Sequence, residues 1–318
     1  MIVFDVFCGM GGASDGLSSA GLEVIGIEKD AIAAKNHELA GHFTVNTDAT
    51  MVTELRTLDC GIWLSPPCQA FSTAGKSEGV KYKERLRDCI YREDWTGWDN
   101  VDPNIWLPLE VGRWTQMLQP RWVLCEQVVS AKELWEMYEI KFREWGFHTW
   151  SGLLNCADYG LPQTRKRAFF MASLDGPVEP PQPTHSKDGV NELLPWVTMQ
   201  DCFEWEFGFI GFPRKADGLG PSIEINSELY RKRDLRPINQ PSQTLTEKAR
   251  SWLRFDIFNE KIMKLTIDEA LVLQGFSPRQ LVGSNTAKFR CIGNACPPVM
   301  AKTLAESVSR TQAPSVAV

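Results

Sequence analysis

The chain has 318 residues, 43% of them hydrophobic and 23% charged, which is ordinary globular composition and enough for one large domain with an appendage or for two domains. A net charge of −6 argues against a uniformly basic polyanion binder, and no apolar run approaches the roughly 18 residues needed to cross a bilayer. Nine cysteines without paired spacing argue against a disulfide framework, and the closest thiol pair, Cys291 and Cys296, has no histidine beside it to complete a zinc site. The expectation is a cytoplasmic protein without membrane attachment or metal, its N-terminus entering a strand directly with no basic leader.

In chain order, Ile2 to Phe7 reads as a strand, Gly9-Met10-Gly11-Gly12 as a loop, and Ala13 to Ala20 as a helix ended by Gly21. Val24 to Ile27 is the next strand, and Asp30 caps a helix running to about Leu39. Phe43 to Val45, Ile62 to Leu64 and Trp122 to Cys125 supply further short strands, the last preceded by a helical stretch over Leu107 to Leu118. Such alternation predicts an α/β fold with a doubly wound parallel sheet, whose ligands gather at the carboxyl ends of the strands. Prolines 177, 180, 181 and 183 then mark a linker into a smaller mixed unit that continues to about residue 261. Helical patterns return at 268–274 and 299–307.

Several stations along the chain carry chemistry. The run Asp5 to Gly12 places glycines between a strand and a helix, where a ligand can approach the backbone, yet it is not the dinucleotide G-x-G-x-x-G. Glu28, at the tip of the second strand, can accept from two ribose hydroxyls, and Asp48 follows the third strand at the height of an adenine amino group. Pro66-Pro67-Cys68-Gln69, closed by Phe71-Ser72, puts one thiol on a stiff turn after a strand, because two prolines fix φ and remove two donors. Glu126-Gln127-Val128 ends another strand, where burial would keep a carboxyl protonated and able to donate to a ring nitrogen. Arg165 and Arg167 alternate toward one face, suited to a carbonyl oxygen and a phosphate. A solvated acid and arginines paired with surface carboxylates would read the same way. Residues 230–254 hold seven basic side chains against two acidic ones, which is either a phosphate-binding stretch or a solvated face.

In order and spacing these segments resemble the conserved blocks of the DNA cytosine C5-methyltransferases: D-x-F-x-G-x-G-G, the acid after the second strand, P-P-C-Q, E-N-V, Q-x-R-x-R, the block from Arg236 to Thr244, and G-N-x-x-x-P from Gly293 to Pro298. Similarity extends over residues 1–172 and 236–307. The resemblance implies a Rossmann-like catalytic domain of residues 1–172 and 262–318, and a target-recognition domain of residues 173–261 reading about four to six base pairs. It implies S-adenosylmethionine as cofactor, S-adenosylhomocysteine as product, double-stranded DNA as substrate, and a monomer with a companion restriction nuclease. By that likeness Cys68 attacks C6 of a flipped cytosine, Glu126 serves N3, Arg165 holds O2 and Arg167 lies nearer a phosphate. Phe7, Gly9, Gly11, Glu28, Asp48, Pro67 and Asn294 would line the cofactor, with Pro66, Gln69, Ser72 and Thr244 on the substrate side.

Three positions depart from the family pattern. Gln127 stands where asparagine is nearly invariant, Lys29 where a large apolar residue often covers the adenine, and the stretch 76–103, with Trp95 and Trp98 as candidate surface contacts, is longer than usual and lacks the R-G pair. An RNA cytosine methyltransferase and a catalytically silent DNA-binding homologue are the competing expectations.

Overall fold

A computed structural model of the chain describes residues 1–55, 59–67, 82–98, 100–205, 208–225, 227–257 and 261–309. Seven strands form the main sheet: β1 (Ile2–Val6), β2 (Glu23–Glu28), β3 (Phe43–Asn46), β4 (Cys60–Leu64), β5 (Trp122–Gln127), β6 (His148–Asn155) and β7 (Lys166–Ser173), in the order β3-β2-β1-β4-β5-β7-β6. β4 and β5 are buried along their whole length, as expected of central strands covered on both faces, and their sequences are correspondingly apolar. β3 to β5 pair in parallel, but β7 runs antiparallel to β5, with Glu126 opposite Phe169 and Gln127 opposite Ala168. The link between β6 and β7, residues 156–165, is shorter than the dozen or more residues a parallel crossover needs, so the parallel-dominated sheet takes an antiparallel strand here.

The helices follow the expected punctuation. α1 (Gly12–Ser19) ends at Ala20 and Gly21, and α2 (Ala31–Leu39) is capped by the Asp30 carboxylate, which accepts from the N–H of Ile32 and Ala33. α3 (Lys83–Arg92), α4 (Glu110–Leu118) and α5 (Lys132–Glu144) bury Trp114, Trp135, Tyr138 and Phe142 in an aromatic core with Phe170 of β7. Trp98 belongs to this core too: it is 5% exposed, contacts Tyr82 and lies under the Arg85 guanidinium. Trp95 packs against Gly112 and donates to Gln116. The described part of the long stretch is therefore folded onto the core, and Trp98 is not a surface contact.

The chain divides into two compact units. Met1–Leu154, Lys166–Gln182 and Met300–Val318 form the first, and Asn155–Arg165 with Pro183–Val299 the second. This division differs from the boundaries read off composition, because residues 155–165 and 262–299 pack with the region after the prolines. The second unit holds a small antiparallel sheet of β8 (Gly208–Gly211), β11 (Leu235–Pro237), β12 (Leu253–Asp256) and β13 (Lys261–Lys264), and a hairpin of β9 (Ser222–Ile225) and β10 (Glu228–Arg231). The longer helices α6 (Ile267–Leu273) and α7 (Asn285–Asn294) also belong to it, while α8 (Pro298–Ser309) begins before and continues past the division at Met300. Among the described residues no helix is long and apolar enough to cross a membrane.

Candidate active site

β1 delivers the chain to the glycine loop. The N–H groups of Phe7 and Cys8 both donate to the Ile27 carbonyl, at 3.0 and 3.2 Å, which turns the chain over the end of β2. Phe7 and Gly9 then take left-handed φ values of 65° and 58°, free of penalty for glycine and strained for phenylalanine. A Cβ built on Gly9 would meet nothing within 4 Å, so open space lies over the loop at this residue. The Glu28 carboxylate is fixed from both sides, Oε2 accepting from Gly9 N at 3.0 Å and Oε1 from Asp30 N at 2.8 Å. Burial raises the pKa of Glu28 above its ordinary value despite those two donors. Asp48 accepts from the N–H and hydroxyl of Thr50 and faces Lys29 at 3.4 Å. Burial works to raise its pKa, but the Thr50 donors and Lys29 outweigh it and the net shift is downward. An open glycine loop, an anchored acid at a strand tip and a second acid one strand further along fit a nucleoside with free ribose hydroxyls and no pyrophosphate.

Beneath the loop lies a buried polar chain that sequence reasoning missed. Ser14 Oγ donates to Asp5 Oδ2 at 2.6 Å, Ser14 Oγ meets His37 Nε2 at 2.8 Å, and His37 Nδ1 meets Thr44 Oγ1 at 2.7 Å. Asp5, Ser14 and His37 are all fully buried, and burial pushes the Asp5 carboxyl up to about 7, with the Ser14 hydrogen bond opposing. A Cβ on Gly11 would come within 3.0 Å of the His37 ring, so the second glycine of the loop leaves room for this imidazole. The only trace in the sequence is a small residue opposite a large one, which no motif records.

Cys68, Gln69 and Ser72 lie outside the described residues. The chain that leads to them is held at Ser65, whose N–H donates to Val6 O at 3.2 Å and whose hydroxyl accepts from Trp63 Nε1 at 2.6 Å, and at buried Pro66, whose carbonyl accepts from Gln127 Nε2 at 3.0 Å. Pro67 is half-buried. Glu126, next to Gln127, is 8% exposed and faces Arg167, whose Nε lies 3.0 Å from Glu126 Oε1. Its surroundings are thus not simply desolvating, since a guanidinium completes them.

The two arginines are placed differently from the expectation. Arg165 is 2% exposed and donates from Nη1 to Leu245 O at 3.1 Å and from Nη2 to Gly293 O at 3.1 Å and Ala295 O at 3.4 Å. These partners all belong to the second unit, where Gln163 adds bonds to Leu273 O and Gln274 and receives Leu245 N. Thr244, expected on the substrate side, donates its hydroxyl to Thr164 O at 3.0 Å in this same latch. Asn294 is exposed at the end of α7. The arginine beside Glu126 is Arg167, not Arg165. In the basic stretch, Arg231 pairs with Asp217 and Arg254 stacks over Trp205 at 4.7 Å. Lys232, Arg233 and Lys248 are exposed and form no ion pair among the described residues.

The α/β fold carries a site suited to a nucleoside, and comparison with known proteins gives the family. The family model of the C-5 cytosine-specific DNA methylases matches residues 1–310. The chain belongs to that family of methyltransferases. It is 27% identical to the Type II methyltransferase M.AplI of Arthrospira platensis, with 98% of this chain and 86% of that protein covered, and 27% identical to the Type II methyltransferase M1.HphI of Haemophilus parahaemolyticus, with 96% and 85% covered. Among solved structures, the S. pombe Dnmt2 methyltransferase shares the fold with a TM-score of 0.64 at 16% identity, covering 98% of this chain and 99% of that one. The Entamoeba histolytica methyltransferase EhMeth does so with a TM-score of 0.60 at 14% identity, covering 99% of each.

Proposed function

We propose that this enzyme methylates C5 of a cytosine extruded from duplex DNA, with S-adenosylmethionine as cofactor and Cys68 as the attacking thiol. The observation that carries the reading is the Glu126–Arg167 pair on β5 and β7, next to the residue that holds the Pro66 carbonyl. Bound at the glycine loop, S-adenosylmethionine supplies an electrophilic methyl group on a sulfonium. Glu28 would hold the ribose hydroxyls, Asp48 the adenine amino group, and Phe7 and Gly9 the wall beside them. The acid at Glu28 is already oriented by Gly9 and Asp30, so it needs no rearrangement to accept from the ribose.

On the substrate side, the Cys68 thiolate adds to C6 and the displaced electron pair moves into the ring toward N3 and O2. Glu126 faces N3 and Arg167 donates to O2, so the pair offsets charge where it develops and C5 becomes nucleophilic. After methylation a base takes the C5 proton, the double bond reforms and the Cys68 thiolate leaves. Arg165 stays in the latch described above and acts on none of these atoms. Residues 173–261 would read the target, with Lys232, Arg233 and Lys248 as contacts to phosphate. The Type II names of the relatives support a place beside a restriction nuclease.

Duplex DNA carrying 5-fluorocytosine has no removable C5 proton, so the wild-type protein with S-adenosylmethionine should become covalently linked to it and Cys68→Ser should not. Absence of a wild-type adduct on a pool of randomised sites would overturn the mechanism. Methyl transfer to tRNA alone, measured beside duplex DNA, would overturn the substrate.

A further inference from the structure

We propose that Gln127 is a positioning residue: its side-chain amide locks the backbone entering the Cys68 loop to the strand that carries Glu126, and so sets the approach of the thiol to the base. The inference rests on the reading of Cys68 as the nucleophile. It starts from a deficit of donors. Pro66 and Pro67 have no N–H, so the β1 ladder that still holds Ser65 through Val6 O cannot continue into the turn. What the first proline offers there is a carbonyl, and because Pro66 is buried that carbonyl needs a donor from elsewhere.

Gln127 provides it. Its Nε2 donates to Pro66 O at 3.0 Å while its Oε1 accepts from Val128 N at 2.7 Å, and the residue is 1% exposed. Both ends of the amide are therefore in use, and no water is needed at either. Only a group that donates and accepts at once satisfies this arrangement. A carboxylate would turn lone pairs toward the Pro66 carbonyl, and an aliphatic chain would leave both backbone groups unmet. Glu126 and Gln127 are consecutive on β5, so their side chains leave the strand on opposite faces: one meets Arg167, the other the loop. A proline ring fixes φ at 66 and 67, so the direction of the Pro66 carbonyl governs how the chain departs toward residue 68. The methylene that distinguishes Gln127 from the family's asparagine gives the amide the reach found here.

The test uses the full-length protein, S-adenosylmethionine and a pool of duplexes with randomised six-base sites in which cytosine is replaced by 5-fluorocytosine, reading the rate and the final amount of covalent adduct. Gln127→Leu should form the adduct about 100-fold more slowly, and Gln127→Asn, which keeps the amide on a shorter arm, about 10-fold more slowly. Cofactor affinity and the final amount of adduct should stay within about twofold of wild type, a separation that mere loss of folded protein would not give. Should Gln127→Leu not fold, Gln127→Glu keeps the size and removes the donor, and it should be slower than Gln127→Asn. A wild-type protein that forms no adduct would overturn the function reading itself. A wild-type protein that reacts, with Gln127→Leu or Gln127→Glu within about threefold of its rate or Gln127→Asn slower than Gln127→Glu, would overturn this inference alone.

Discussion

Arg165 and Arg167 are separated by one residue and serve opposite ends. Arg165 is buried in the second unit with its guanidinium directed at three main-chain carbonyls, whereas Arg167 belongs to the first unit and faces the carboxylate of Glu126. The lesson is that a guanidinium bonded to main-chain carbonyls holds structure, whereas the proposed mechanism gives a substrate oxygen to the one beside an acid at a strand end.

This contrast can be broken most directly by charge removal. Arg167→Ala and Glu126→Gln should each lower methyl transfer by about 10³-fold, the size of one lost electrostatic contact to a developing charge, with little change in melting temperature. Steady-state transfer of labelled methyl groups beside a thermal melt checks it, and a large drop in melting temperature for Arg167→Ala would erase the distinction. Arg165→Ala should do the reverse. Removing a buried cation from three carbonyls costs about 3 kcal/mol, which at this chain length corresponds to roughly 4–5 °C in a scanning calorimetry experiment.

A third comparison uses pH, with the buried acid under the glycine loop as the probe. The Asp5 carboxyl is raised to about 7 in the folded protein from its ordinary 3.8. Below pH 4 both states carry the proton and its contribution is complete. As pH rises the unfolded chain ionises first, so stability drains away between about pH 4 and 7, by up to a few kcal/mol. Asp5→Asn should flatten that window, so its melting temperature should gain on wild type as pH goes from 4 to 7; parallel curves would refute the effect. The smallest change is expected at Lys29. Its exposed pairing with Asp48 at 3.4 Å contributes less than about 1 kcal/mol, so Lys29→Ala should alter cofactor affinity by less than about fivefold in a titration.

Much of the fold was legible because apolar runs alternate with capped helices: the strands from Ile2 to Trp122 and the Asp30 cap lie where the pattern predicts. Strand direction was not, since a period of two reads the same in both directions and only the short link before Lys166 decides it. The motif residues Phe7, Gly9 and Glu28 do gather, because each sits at a strand end whose position the sheet fixes. The roles of the arginines were hidden for a different reason. Alternation alone puts Arg165 and Arg167 on one face, but the boundary between compact units falls between them, at a point without glycine, proline or any change in composition. Gln127 looked like a defect in a motif until the reach of its amide to Pro66 was known.

Three acceptors of the Arg165 guanidinium are peptide oxygens. Peptide oxygens are the same whatever side chains flank them, so these contacts ask only for a main-chain path at residues 245, 293 and 295, although at Gly293 that path itself excludes a side chain, because a Cβ there would come within 2.6 Å of the Thr246 backbone. A lineage could thus rewrite the side chains of its second unit, and with them whatever that unit discriminates, without loosening the clasp. Exchange by recombination is more restricted: a transplanted segment that leaves residues 155–165 behind would ask an inherited guanidinium to fit a foreign backbone.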